Sequence, residues 1–132
     1  TGLIAQCQYD LSIRQEEAFE LVSNPLKYIE NGYIKNLNGK GNHIYQDKFL
    51  SLHLENRLLG NTDELISKTT YYNDLQKYDI SSHDFRFTSA RDKFEEKMKS
   101  GISEKEAKLQ ISEILNHKRS EITDYYLKRC QN

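Results

Sequence analysis

Proline is nearly missing from this 132-residue chain, which has one, and glycine is limited to six. That scarcity excludes a low-complexity tract or a Pro/Gly-rich linker as the main content. No apolar run approaches the ~18 residues that span a bilayer, and no signal-peptide pattern opens the chain. The expectation is therefore a cytoplasmic protein with no membrane partner. Cysteine is scarce too. Cys7 and Cys130 lie near opposite ends without Cys-x-x-Cys spacing, which disfavours a zinc site and suits a reducing compartment. The four histidines (His43, His53, His83, His117) include no His-x-x-x-His pair that would set two ligands on one helical face. No metal and no other cofactor is expected. Large positive charge is also lacking: the net charge is −1, where many DNA-binding domains are strongly basic. A nucleic-acid partner would need positive charge focused in one cleft or supplied by another domain.

With 36% hydrophobic and 30% charged residues, the chain fits one domain over 1–132, a modest core under a charged surface. It opens directly on Thr1-Gly2-Leu3-Ile4-Ala5, which reads as the interior of a longer protein. Residues 2 to about 22 follow a helical pattern. Leu3, Cys7 and Leu11 share one face, and Ala18, Leu21 and Val22 share another on a second helix starting near Arg14. Ser23-Asn24-Pro25 ends it. Two Asn-Gly pairs, Asn31-Gly32 and Asn38-Gly39, then punctuate short runs of Tyr, Ile and Leu. Asn and Gly tolerate the positive φ of tight hairpins, so a three-stranded antiparallel meander is expected at 26–30, 33–37 and 43–48. The tip of its second hairpin is Asn38-Gly39-Lys40-Gly41-Asn42. Helices are expected at 49–58 and 62–77. Another starts close to His83, carries Phe87, Ala90, Phe94 and Met98 on one face, and is broken by Gly101. Ser103-Glu104-Lys105-Glu106 is a capping-box pattern for a helix burying Ala107, Ile111, Ile114 and Leu115. A short helix at 121–129 closes the chain. The expected class is α+β: mostly helical, with one small three-stranded antiparallel sheet.

Each polar candidate has a bland reading when taken singly. Arg14 fits an ordinary helix-surface cation, Lys40 a soluble hairpin tip, His83 a cap and His117 an imidazole at the core edge. Their order changes the reading. Leu11-Ser12-Ile13-Arg14-Gln15-Glu16-Glu17-Ala18 resembles the G-L-R-x-x-E-A box of the tyrosine recombinases. Asn38-Gly39-Lys40-Gly41-Asn42 resembles the G-K-G-N hairpin carrying their lysine, and Ser82-His83-Asp84-Phe85-Arg86 resembles the H-x-L-R box. Ile114-Leu115-Asn116-His117 resembles L-L-G-H, and Ile122-Thr123-Asp124-Tyr125-Tyr126-Leu127 resembles the T-x-x-Y segment with its nucleophile. The boxes fall in family order from 14 to 126. The intervals from His117 and Thr123 favour Tyr126 over the adjacent Tyr125. Three positions depart from the pattern: Ser12 and Asn116 stand where the family usually has Gly, and Phe87 where His or Arg often follows. Asn reaches left-handed backbone angles almost as Gly does.

The resemblance implies the recombinase catalytic fold and attack of the Tyr126 hydroxyl on a DNA phosphodiester. The product would be a 3′-phosphotyrosyl bond and a free 5′-hydroxyl, with no nucleotide cofactor for resealing. Arg14 and Arg86 would hold the charge gathering on the non-bridging oxygens. His83 would assist as general base, Lys40 would protonate the departing 5′-oxygen, and His117 would hydrogen-bond a non-bridging oxygen. Glu17, one turn from Arg14, would orient it, with a plain surface carboxylate as the alternative. The implied partners are double-stranded DNA and, in a full-length protein, a homotetramer on DNA. An N-terminal core-binding domain is implied but absent from this chain. The alternatives are a catalytically silent DNA-binding or assembly module of the same fold, or a type IB topoisomerase.

Overall fold

The computed structural model describes residues 2–60 and 66–116. In chain order it contains α1 (Gly2–Leu11), α2 (Gln15–Ser23), α3 (Pro25–Tyr28), β1 (Ile29–Glu30), β2 (Tyr33–Ile34), β3 (Lys48–Phe49), α4 (Leu52–Gly60), α5 (Lys68–Gln76), α6 (Ser82–Lys99) and α7 (Glu104–Ile114). The described part is mostly helical with a small antiparallel sheet in the order β1-β2-β3, an α+β arrangement.

Helix α1 is the centre of the assembly and packs on α2, α4 and α6, while α7 packs on the far side of α6. The buried face of α1 is the one its sequence spacing predicts, with Leu3, Cys7 and Leu11 enclosed. The main core joins them to Ala18, Leu21 and Val22 of α2, Leu54 and Leu58 of α4, and Tyr71 and Leu75 of α5. A second cluster joins Phe87 and Ala90 of α6 to Ile111 and Leu115 at the end of α7. Gly101, at φ 94°, ends the run after α6. Ser103 caps α7 by accepting the Glu106 N–H at 3.2 Å. At the C-terminal end of the periodic stripe, Met98 is 40% exposed rather than buried.

The sheet is where sequence and structure differ most. Residues 25–28 form a helical turn, not the start of a strand: Pro25 takes the first helical position, where its fixed φ and missing N–H are both suitable. The first strand is thus two residues long. The Asn31-Gly32 turn is as expected, with φ of 53° and 78° at its two central positions and Glu30 facing Tyr33. The second and third strands are cut to Tyr33–Ile34 and Lys48–Phe49, which pair with each other. Asn36, at φ 61°, turns the chain out of the ladder. Residues 35–47 then form an excursion whose own tip is closed by an Asn38–Ile44 bridge. Helix α4 begins at Leu52 rather than at 49, since 48–49 belong to the sheet. Of the expected 62–77 helix, the described part runs from Lys68 to Gln76. The expected 121–129 helix lies outside the described residues.

Candidate functional site

The corner between α1 and α2 sets Arg14. Ser12 is fully buried and left-handed, at φ 57°, which reverses the chain in a conformation that glycine adopts most readily. Leu11 and Ile13 on either side are sunk into the core. The next residue therefore emerges at the α2 N-terminus. Arg14 caps α2 through its backbone: its N–H donates to Glu17 Oε1 at 2.8 Å, and its carbonyl accepts from Ala18 N–H at 3.0 Å. Its side chain, 19% exposed, approaches Glu17 Oε2 with Nη1 at 3.6 Å.

Glu17 is 5% exposed, which removes the surface-carboxylate alternative. A buried carboxylate needs hydrogen-bond donors around it. Besides the Arg14 backbone and guanidinium, it receives the Tyr45 hydroxyl at 2.6 Å. The Tyr45 oxygen in turn lies 3.5 Å from Arg14 Nη1. Tyr45, 3% exposed, sits on the return limb of the excursion that carries Lys40. Burial above all, with Glu17 adding to it against the pull of Arg86 and Arg14, holds the Tyr45 phenol well above its ordinary value. It is therefore a hydroxyl donor at neutral pH.

Lys40 opens a short 3-10 turn, Lys40–Asn42, and is exposed. Gly41 takes φ 72° there. The hairpin is fixed from behind. The His43 carbonyl accepts both Gly39 N–H at 2.8 Å and Asn116 Nδ2 at 2.6 Å. Asn116 has φ 61°, a left-handed angle that Asn reaches almost as readily as Gly. The residue before His117 is thereby joined directly to the Lys40 loop.

Arg86 lies on α6, one turn after His83, and is fully buried. Its Nη2 donates to the Leu115 carbonyl. Lys48, 9% exposed, donates to the neighbouring Ile114 carbonyl at 2.7 Å, and its ammonium stands 4.7 Å above the Tyr45 ring. Two cations thus meet the carbonyls at the negative end of α7. Burial pushes the Lys48 ammonium well below its ordinary pKa, with Lys93 and Arg86 adding repulsion and Glu17 opposing. Lys93 of α6 is pushed down to about 8, again chiefly by burial. It donates to the Asp10 carbonyl at 2.8 Å and to Ser12 Oγ at 2.7 Å. His83 is exposed in the first turn of α6, its ring 6.0 Å from that of Phe87.

The fold accordingly gathers Arg14 and Glu17 at the Tyr45 hydroxyl, with the Lys40 hairpin bonded to Asn116 and Arg86 bonded to the Leu115 carbonyl. His117, Tyr125 and Tyr126 lie outside the described residues. Sequence reasoning missed Tyr45 and Lys48 as site residues. The available signal was that a buried tyrosine needs a partner for its hydroxyl. Two clefts of about 350 and 280 Å³ flank Lys93, but neither is lined by Arg14, Lys40, His83 or Arg86. Among the described residues, no cluster of three or more His, Cys, Asp or Glu side chains could hold a metal ion, and no helix is long and apolar enough to cross a membrane. Comparison with known proteins found no matching family model, no matching curated protein and no matching solved structure.

Proposed function

We propose that the chain is the catalytic domain of a tyrosine recombinase, which cuts and rejoins DNA at specific sites through a 3′-phosphotyrosyl intermediate. The observation that carries this reading is the contact of the Arg14 side chain with Glu17 and the Tyr45 hydroxyl, at the base of the hairpin that presents Lys40. Arg86, from the opposite half of the chain, acts on the same phenol electrostatically. The hairpin tie to Asn116 likewise joins the lysine box to the box ending in His117.

On this reading the arginines stabilise the charge that develops on the non-bridging oxygens of the phosphodiester. The Tyr126 hydroxyl attacks phosphorus, and the bond to the 5′-oxygen breaks. His83 takes the phenolic proton, whose reference pKa of about 10 makes such help necessary. Lys40, exposed at its hairpin tip, returns a proton to the 5′-oxygen. His117 donates to a non-bridging oxygen, and Glu17 holds Arg14. An enclosed pocket is not needed for this chemistry, because duplex DNA presents its phosphate from outside. The full-length protein would act as a tetramer on DNA, in the DNA-containing compartment of the cell.

One observation favours a second reading, a catalytically silent module of the same fold: Arg86 is fully buried and turned to the Leu115 carbonyl, a structural use of its guanidinium. A single experiment separates the two. The full-length parent is incubated with a nicked suicide duplex carrying its crossover site, alongside Tyr126→Phe and Tyr125→Phe. A covalent protein–DNA adduct lost only in Tyr126→Phe is the expected result. Loss only in Tyr125→Phe would move the nucleophile by one residue. DNA binding without any adduct at the correct site would favour the silent module.

A further inference from the structure

We propose that Tyr45 is a positioning residue that fixes the Arg14 guanidinium to the base of the Lys40 hairpin. The inference rests on the recombinase reading and adds a residue outside its sequence boxes.

Three features carry it. The first is placement. Tyr45 N–H donates to the Leu37 carbonyl at 2.9 Å, and its ring lies so close to Gly39 that a Cβ there would come within 3.1 Å of Cε2. The tyrosine is therefore part of the same hairpin base that presents Lys40. The second is the use of its single proton. The hydroxyl gives it to Glu17 Oε1 at 2.6 Å, leaving the phenolic oxygen's lone pairs for Arg14 Nη1 at 3.5 Å. Arg14 is then held at one nitrogen by two oxygens on different elements, Glu17 on α2 and Tyr45 on the hairpin. An ion pair to Glu17 alone, at 3.6 Å within one helix, would leave the guanidinium free to rotate. The third is the setting. The phenol is buried beneath the Lys48 ammonium, and burial keeps it protonated, so the donor role persists at neutral pH. Moving the hairpin would move Tyr45 and through it Arg14. The acid-side lysine and the phosphate-binding arginine are thus geometrically linked.

The test replaces Tyr45 with Phe, which keeps the ring and its packing and removes only the hydroxyl. Two readouts are taken. The first is hydrogen exchange at the Arg14 guanidinium Nε–H, followed by nitrogen-15 NMR and assigned by its loss in Arg14→Lys. The second is the single-turnover rate of adduct formation on the nicked suicide duplex, with DNA affinity measured in parallel. In Tyr45→Phe we expect faster Nε–H exchange, a cleavage rate reduced about tenfold and a DNA Kd changed by less than about twofold. In an Arg14→Lys background, Tyr45→Phe should then slow cleavage by less than about twofold, because the two residues act as one unit. Unchanged Nε–H exchange would overturn the proposal. So would a normal cleavage rate per folded molecule, or an equal effect of Tyr45→Phe in both backgrounds. If the unaltered protein binds DNA but forms no adduct, the recombinase reading fails, and the exchange rate alone decides whether Tyr45 fixes Arg14.

Discussion

Replacing Ser12 tests whether the corner that aims Arg14 is built as described, because two effects of opposite sign meet at this residue. Its backbone is left-handed, φ 57°, which costs a residue with a Cβ about 1–2 kcal/mol. Its side chain offsets that cost. Ser89 donates its one hydroxyl proton to the Tyr9 carbonyl, so in the 2.6 Å contact between the two serines Ser12 is the donor. Ser12 also accepts from Lys93 at 2.7 Å. The result is a relay, Lys93 to Ser12 to Ser89 to the Tyr9 carbonyl, which fastens α6 to the α1–α2 corner.

Ser12→Ala keeps the unfavourable backbone and deletes the relay. Ser89 and Lys93 each retain one partner, the Tyr9 and Asp10 carbonyls, so the loss should be about 1–2 kcal/mol rather than that of fully orphaned groups. Ser12→Gly loses the same bonds but relieves the left-handed angle, less about 0.5–1 kcal/mol for glycine's freer unfolded chain. Glycine should therefore be the more stable of the two variants by up to about 1.5 kcal/mol, a few degrees in Tm for a chain of this size. Urea unfolding followed by circular dichroism, with equal m values as the condition for comparison, measures the gap. If alanine matches or exceeds glycine, the left-handed corner is not the reason this position favours glycine in similar boxes, and the account of how Arg14 is aimed fails.

Other perturbations address neighbouring parts. Lys93 has its pKa lowered from 10.5 to about 8 by burial, so between about pH 8 and 10.5 the unfolded chain binds more protons and stability rises with pH. Lys93→Met should flatten that rise in urea titrations across the window. The buried Cys7 thiol, raised to about 12, works in the opposite direction above about pH 9 in both proteins, so it cancels in their difference. Equal slopes would refute the burial of Lys93. Gly39→Ala should destabilise by about 1–3 kcal/mol, since its Cβ would meet Asn116 Nδ2 at 2.8 Å and the His43 carbonyl at 2.9 Å. Gly60→Ala, with nothing within 4 Å, should be neutral or stabilising by up to about 1 kcal/mol in the same urea unfolding measurements.

The helices were legible in the sequence because their information is local. The four-residue spacing of Leu3, Cys7 and Leu11 and the Ser103 cap are properties of neighbouring residues, and both are realised. The Asn31-Gly32 turn was legible for the same reason. Strand lengths were not. The apolar runs around the two Asn-Gly pairs suggest strands of five or six residues, but Leu37 and Tyr45 are buried in the loop excursion rather than in a ladder. Ser23-Asn24-Pro25 does end α2, but Pro25 also begins a further helical turn where a strand is expected. At the site, the Arg14–Glu17 spacing was visible, while the burial of Glu17 was not. Tyr45 and Lys48 find their partners at Glu17 and at the Ile114 carbonyl, both distant in sequence. No local pattern announces a contact that tertiary packing creates.

The net charge of −1 counts against a polyanionic partner only if charge is averaged over the chain. Around Tyr45 the balance is different, because of what the cations are bonded to. Lys48 is satisfied by the Ile114 carbonyl, Arg86 by that of Leu115, and Lys93 by the Asp10 carbonyl and the Ser12 hydroxyl. These are neutral acceptors. Carboxylate partners would have met the same hydrogen-bonding needs and cancelled the charge. Carbonyls at the end of α7 stabilise the cations with partial charges and leave most of their field intact. Glu17 faces Lys48 and is shared among Arg14, Tyr45 and the α2 backbone, while Asp10 and Glu96 face Lys93. Burial is the chief cause of the lowered pKa values of Lys48 and Lys93; Lys93 and Arg86 add repulsion at Lys48, and Lys97 adds it at Lys93. A phosphate placed beside these cations would bring negative charge to where several positive groups stand close together. Under the recombinase reading, the acidic remainder of the surface would then limit non-specific attraction to DNA away from that focus.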